Sequence, residues 1–214
     1  MGGRPDSAFD LVILDFDGVL ADSAPWMLRN MAGFLRARGL PVPEPDEIEA
    51  MRSLSNREIV RRMRVPAWRL PAIARDMRAL MESHAHEIGL FPGAAEFLAR
   101  LNAAGARPAI VSSNSEVVVR QVLGPAAGHV RRYACGAGLF GKAPVFRKVM
   151  RAERVRPGRV VAVGDETRDI EAARRAGIAC AAVTWGYASP QVLERFAPDH
   201  LVDGFDGLLA LVGA

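Results

Sequence analysis

Two carboxylates stand two residues apart, at Asp15 and Asp17, directly after the apolar run Leu11 to Leu14. In an extended chain, side chains two residues apart point the same way. A strand that ends here can therefore bring both acids to one small site. Such acids repel each other, and burial raises their pKa values. A bound hard cation relieves both penalties, and Mg²⁺ favours oxygen ligands. Gly18 follows and permits a tight turn. A strand end followed by an Asp-Gly turn is the plainer reading of the same residues. Other polar residues follow later apolar runs: Ser112 after Pro108 to Val111, and Asp165 to Asp169 after Arg159 to Gly164. Lys142 precedes a helical stretch and is one of two lysines, the other being Lys148.

The elements that must position these groups show two rhythms. Leu11 to Leu14 is short and apolar enough for a central strand. From about Ser23 to Ile88 helix follows helix: Trp26 to Arg38, a short one through Met51, one after the capping-box pair Ser55 and Glu58, and one from Pro66 to about His84. Asp22 and Ser23 are expected to cap the first of them. After Pro92 strands and helices alternate, with strands at Pro108 to Val111, Val130 to Cys135, Arg159 to Val163, Ile178 to Thr184 and Leu201 to Val202. Strands separated by helices predict an α/β fold with a mainly parallel sheet and right-handed crossovers. The expected division is a core of residues 1–22 and 89–214 and a helical insert of 23–88. In such sheets ligands sit outside the carboxyl ends of the strands. Asp15, Asp17, Ser112, Asp165 and Asp169 all fall at that edge, and Lys142 opens a helix beside it.

The composition narrows the function classes. With 214 residues, half of them hydrophobic, the chain can bury a full core. Its net charge of +4 is modest and spread along the chain, so it favours an anionic small molecule over nucleic acid. Cys135 and Cys180 have no metal-ligand spacing and read as free thiols. No apolar leader opens the sequence and no run of 18 apolar residues occurs, which predicts no membrane span and a cytoplasmic location. A monomer or homodimer is expected.

Four segments together resemble the haloacid dehalogenase-like hydrolase superfamily: Asp15-Phe-Asp-Gly-Val, the Ser112 end of Ala109-Ile-Val-Ser, Lys142, and Gly164-Asp-Glu-Thr-Arg-Asp169. The insert after the first strand is similar to the subclass with an α-helical cap, near the phosphoglycolate-phosphatase-like enzymes. The resemblance implies a Rossmann-like core with strand order 5-4-1-2-3 and Mg²⁺-dependent phosphoryl transfer, with Mn²⁺ as a substitute ion. It implies that Asp15 attacks phosphorus and becomes an aspartyl-phosphate. Asp17 would protonate the departing oxygen and then activate water, and its carbonyl would contact the metal. Ser112 would donate to a phosphoryl oxygen, and Lys142 would set a positive charge beside Asp15. Asp165 would bind the cation. Asp169 would ligate it, act through water, or orient Lys142; as a helix N-terminal acid it also complements the dipole. Glu166 is expected to touch the cap or stand behind the metal ligands.

The same residues weigh against neighbouring chemistries. The superfamily's dehalogenases usually lack the second acid, because halide leaves unprotonated. A phosphonate-cleaving relative would carry a cap lysine, and residues 23–88 contain none. A sugar-phosphate mutase shares the core chemistry and differs in returning the phosphoryl group to product. A phosphate-binding protein of the same fold would keep the residues without turnover. A flavodoxin-like domain needs neither the insert nor Ser112 and Lys142. In the cap, Arg52, Arg57, Arg61, Arg62, His84 and His86 are the polar candidates for substrate selection; Arg52 or Arg57 would suit a carboxylate. Ser113 and Asn114 would bind substrate or cap the next helix, and Trp185 and Tyr187 would pack behind the site.

Overall fold

The computed structural model describes residues 9–136 and 141–213. The opening residues 1–8, residues 137–140 and Ala214, all assigned above to the core, lie outside that range, as does the N-terminal segment read as leaderless. In chain order the elements begin with β1 (Leu11–Leu14), β2 (Ala21–Asp22), α1 (Ala24–Arg36), α2 (Pro45–Met51), α3 (Asn56–Arg62) and α4 (Leu70–Ser83). Next come β3 (Gly89–Leu90), α5 (Ala94–Ala103), β4 (Arg107–Val111), α6 (Glu116–Leu123), β5 (Arg132–Ala134) and α7 (Lys142–Glu153). The chain continues through β6 (Val160–Gly164), α8 (Thr167–Ala176), β7 (Ala179–Val183), α9 (Pro190–Arg195), β8 (His200–Val202) and α10 (Phe205–Ala210).

Six strands form one parallel sheet in the order β5-β4-β1-β6-β7-β8. Counted along the core, this is the expected 5-4-1-2-3 order read from the other edge, extended by β8. β1 lies in the middle because all four of its residues are buried, as a strand covered on both faces requires. The pleat sorts side chains alternately onto the two faces. Val12, Leu14, Ile110, Val161 and Val163 pack with Phe97, Leu98 and Leu101 of α5. Leu11, Ile13, Ala109, Val111 and Ala162 pack with Phe146 of α7 and Ile170 of α8.

Between residues 24 and 87 the chain is helical. Its ends meet where β2 and β3 pair antiparallel, Ala21 with Leu90 and Asp22 with Gly89. Phe34, Leu35 and Leu40 anchor a small apolar cluster of this segment, with Met31, Met63, Ile73 and Leu80 against it. Trp26, Met81 and Ile88 instead join the apolar core under the sheet. Two local expectations shift. Pro66 is extended, and a 3₁₀ turn at Ala67–Arg69 precedes α4, which starts at Leu70 with Pro71 in its first turn. Ser23 sits at the N-terminus of α1 but makes no capping bond: its backbone is helical rather than extended, and its hydroxyl points to Asp17. Among the described residues, no helix is long and apolar enough to cross a membrane.

One buried acid ties the last turn of α7 to the sheet edge. Glu153 accepts from Arg131 Nε and Arg132 Nε, each at 2.6 Å, and Arg107 donates to its carbonyl at 2.7 Å. Burial alone would raise its carboxyl pKa, but the two arginines outweigh that and hold it below 4.5. Its stabilisation is therefore complete above 4.5 and lost as pH falls through the lowered folded-state value. Glu153→Ala is expected to cost about 1–3 kcal/mol by urea denaturation near neutral pH, with the deficit shrinking in acid. Equal stability of the two proteins at neutral pH would show that both arginines are satisfied by water.

Candidate active site

β1 delivers Asp15 to the carboxyl edge, where its amide donates to Val163 O at 2.9 Å and ties the loop to β6. The chain then curls tightly: Phe16 O accepts from the amides of Leu20 and Ala21, both at 2.9 Å, and Gly18 takes φ +70°. This curl separates the two acids. Asp15 Oδ2 accepts from Lys142 Nζ at 2.5 Å, and the same ammonium donates to Asp169 Oδ1 at 2.6 Å. All three residues are buried. Asp169 Oδ2 also accepts from the Glu166 amide at 3.2 Å, closing the first turn of α8. Of the three roles open to Asp169, orienting Lys142 is the one its contacts display, together with the helix-end role.

Asp17 has its own partners. Oδ1 accepts from Ser23 Oγ and Oδ2 from Asn114 Nδ2, each at 2.8 Å. The Ser23 hydroxyl lies 2.7 Å from the Tyr187 hydroxyl, and the Tyr187 amide donates to Asp165 Oδ2 at 2.7 Å. Ser112, fully buried, accepts from the Asn114 amide at 3.1 Å and keeps its O–H as a donor. The cap of α6 is Ser115, not Ser113 or Asn114. Asn114, Ser23 and Tyr187 are thus the residues whose part the sequence did not reveal. Their partners are remote in the chain, and Ser23 in particular looked like an ordinary helix cap.

Arg168 was also unforeseen. It pairs with Glu166, and its positive charge acts on both Asp15 and Asp17. Glu166 makes the expected contact with the helical segment: Asn56 Nδ2 donates to it at 2.6 Å, while Thr167 Oγ1 donates to Asn56 Oδ1 at 3.1 Å. Among the cap arginines, Arg57 is largely exposed and pairs with Glu171, and Arg62 pairs with Glu47. Arg52 donates to Tyr187 O at 3.1 Å and pairs with Glu49. His84 packs against Trp26, and His86 is exposed.

Side-chain oxygens of Asp15, Asp165, Glu166 and Asp169 lie within 4.8 Å of one another. The Asp17 carboxylate stands outside this cluster, held away by Ser23 and Asn114, so a metal role for Asp17 rests on its carbonyl. Burial pushes the Asp15 carboxyl up to about 6 against the pull of Lys142. Burial raises Asp17 against the Ser23 hydrogen bond, and burial with Glu166 and Asp15 nearby raises Asp165 well above its ordinary value. The Lys142 pKa is raised as well: burial opposes its charge, but Asp15 and Asp169 more than compensate. Asp165 Oδ1 is buried without a hydrogen-bond partner. An orphaned carboxylate oxygen inside an acidic cluster fits a bound cation.

The family model of haloacid dehalogenase-like hydrolases matches residues 12–183, which includes every one of these acids. The chain belongs to that family. A phosphoglycolate phosphatase of Synechococcus elongatus is 33% identical over 207 residues, covering 94% of this chain and 96% of the relative. A haloacid dehalogenase-like family hydrolase from Streptococcus pneumoniae shares the fold, with TM-score 0.76 at 19% identity over 94% of this chain and 97% of its own. CbbY of Rhodobacter sphaeroides, solved in complex with phosphate, gives TM-score 0.71 at 26% identity over 96% and 100% of the two chains. The protein is one of the family's phosphatases, and the acidic cluster suits the metal ion such hydrolases use.

Two glycines make room for Asp165. A Cβ on Gly18 or on Gly186 would overlap its side chain. Millimolar Mg²⁺ is expected to raise the Tm of the parent protein, and Gly186→Ala to displace Asp165 and remove most of that rise. An undiminished rise would place the cation elsewhere. In the parent, the rise is expected to shrink as pH falls through about 6, because acids that bind a cation must lose their protons and burial raises Asp15 to about 6.

Proposed function

We propose that this hydrolase cleaves small phosphomonoesters in a Mg²⁺-dependent reaction through an aspartyl-phosphate on Asp15. The observation that carries the reading is the separate engagement of two neighbouring acids: Asp15 with Lys142, and Asp17 with Ser23 and Asn114. Burial raises both carboxyls, but one is paired with the Lys142 ammonium and the other with neutral donors. That difference in surroundings divides nucleophile from proton donor.

In the first step an Asp15 oxygen forms a bond to phosphorus as the bond to the ester oxygen breaks, and Asp17 gives its proton to that oxygen. In the second, Asp17 takes a proton from water, whose oxygen attacks phosphorus and releases Asp15. Lys142 and the Ser112 hydroxyl offset charge on the phosphoryl oxygens. Asp15, Asp165 and the Asp17 carbonyl would hold the Mg²⁺, which supplies positive charge opposite the phosphoryl group. Asp169 fixes Lys142 through Oδ1 and lies within the acidic cluster, where it would also ligate the cation directly or through water. Residues 23–88 act as a cap over the site, swinging on the β2–β3 pair and latched by Asn56. Phosphoglycolate, the substrate in the name of the Synechococcus relative, is the first compound to assay.

A Mg²⁺-dependent screen of small phosphorylated acids, sugars and nucleotides should release inorganic phosphate without isomerised product. Isomer formation that needs a bisphosphate activator would make the protein a mutase. Asp17→Asn is expected to lower turnover about 10²–10⁴-fold and to make it depend more steeply on the acidity of the leaving alcohol. An unchanged dependence would take Asp17 out of proton transfer. Asn56→Ala should raise hydrogen exchange at the hinge amides near Asp22 and Gly89; identical protection would count against the latch.

A further inference from the structure

A cavity of about 620 Å³ lies between the helical segment and the carboxyl edge of the sheet. Its floor includes Asp17, Asn114 and Arg168, so it opens onto the acid assigned to the leaving oxygen. Volumes of about 300–1,000 Å³ suit whole small molecules, and a phosphorylated two-carbon acid fills only part of this one. Its walls are apolar. α1 contributes Met27, Leu28 and Met31, and α4 contributes Met77 and Met81. The spacing of three and four residues lays each set along one helix face. None of these apart from Met81 is fully buried, and Leu28 is 53% exposed, so the stripes face one another without closing the space.

The charged groups on these walls are mostly engaged: Arg52 with Glu49, and Arg168 with Glu166. Arg78, between Met77 and Met81 on the same face, is half-buried and has no hydrogen bond or ion pair among the described residues. Asp22, near the hinge, is the remaining uncommitted charge. Methionines adapt to irregular apolar shapes, and a guanidinium binds a carboxylate through two parallel bonds. A wall of this kind gains nothing from a glycolate.

Resting on the phosphatase reading above, we propose that the leaving group carries an apolar body several carbons long, packed on the α1 and α4 methionines, and ends in an anionic group held by Arg78.

The test uses the intact protein with Mg²⁺ and a series of terminal-phosphate acids: phosphoglycolate, phosphooxybutanoate and phosphooxyhexanoate, with butyl and hexyl phosphate as uncharged-ended counterparts. kcat/KM is expected to rise about three- to fourfold per added methylene, mostly through KM. Arg78→Gln should lower kcat/KM for phosphooxyhexanoate at least about tenfold relative to hexyl phosphate, the scale of one lost charge-assisted pair. Turnover of phosphoglycolate with a flat or falling chain-length profile would overturn the apolar subsite and leave the phosphatase reading intact. Equal loss on acid and neutral ester in Arg78→Gln would overturn the assignment of Arg78. If no member of the series is hydrolysed and no phosphate reaches Asp15, both readings fall together.

Discussion

A single ammonium, Lys142 Nζ, sits between Asp15 and Asp169 at 2.5 and 2.6 Å, and the rest of the site is arranged around it. Burying three charges together carries a desolvation cost that only close pairing offsets. The fold supplies that pairing from three places: the end of β1, the first residue of α7 and the first turn of α8. The sheet order brings them together, because β6 pairs directly with β1 and α8 starts at its end. Asp169 is itself fixed by the Glu166 amide. The ammonium is therefore held from both sides before any substrate arrives, which is what electrostatic preorganisation requires.

Much of this arrangement was readable in the residues. An uninterrupted apolar β1, acids at its end, and alternating strands and helices after Pro92 identify a parallel sheet and its working edge. The four short motifs point to the family that the chain matches over residues 12–183. What stayed hidden depends on tertiary contacts, most of them between residues far apart in the chain. The hydrogen bonds from Ser23 and Asn114 to Asp17 span 6 and 97 residues, and Tyr187 reaches Ser23 across 164. Ser23 also carries the local signature of a helix cap, but its backbone is already helical and its hydroxyl donates to Asp17. Arg57 and Arg62 looked available for substrate because their acidic partners, Glu171 and Glu47, lie on other elements.

The helical segment differs in kind from the core. Its small apolar cluster is supplemented by polar contacts to the core, including those of Asn56 with Glu166 and Thr167. Such contacts exchange readily with water, so they suit the proposed opening of the segment over the site. The methionine-lined space exists only where the segment rests on the core. On the proposed reading, recognition of a leaving group and closure over the reacting acids would be one event, which would link specificity to exclusion of water.

The central claim is that Asp15, and not its neighbour Asp17, takes the phosphoryl group. Borohydride reduction of protein quenched during turnover converts an aspartyl-phosphate to homoserine, and peptide mass spectrometry locates it. The account predicts the reduced residue at position 15 alone, appearing only with substrate and Mg²⁺. Reduction at position 17, or turnover with no reducible acyl-phosphate at either acid, would contradict it.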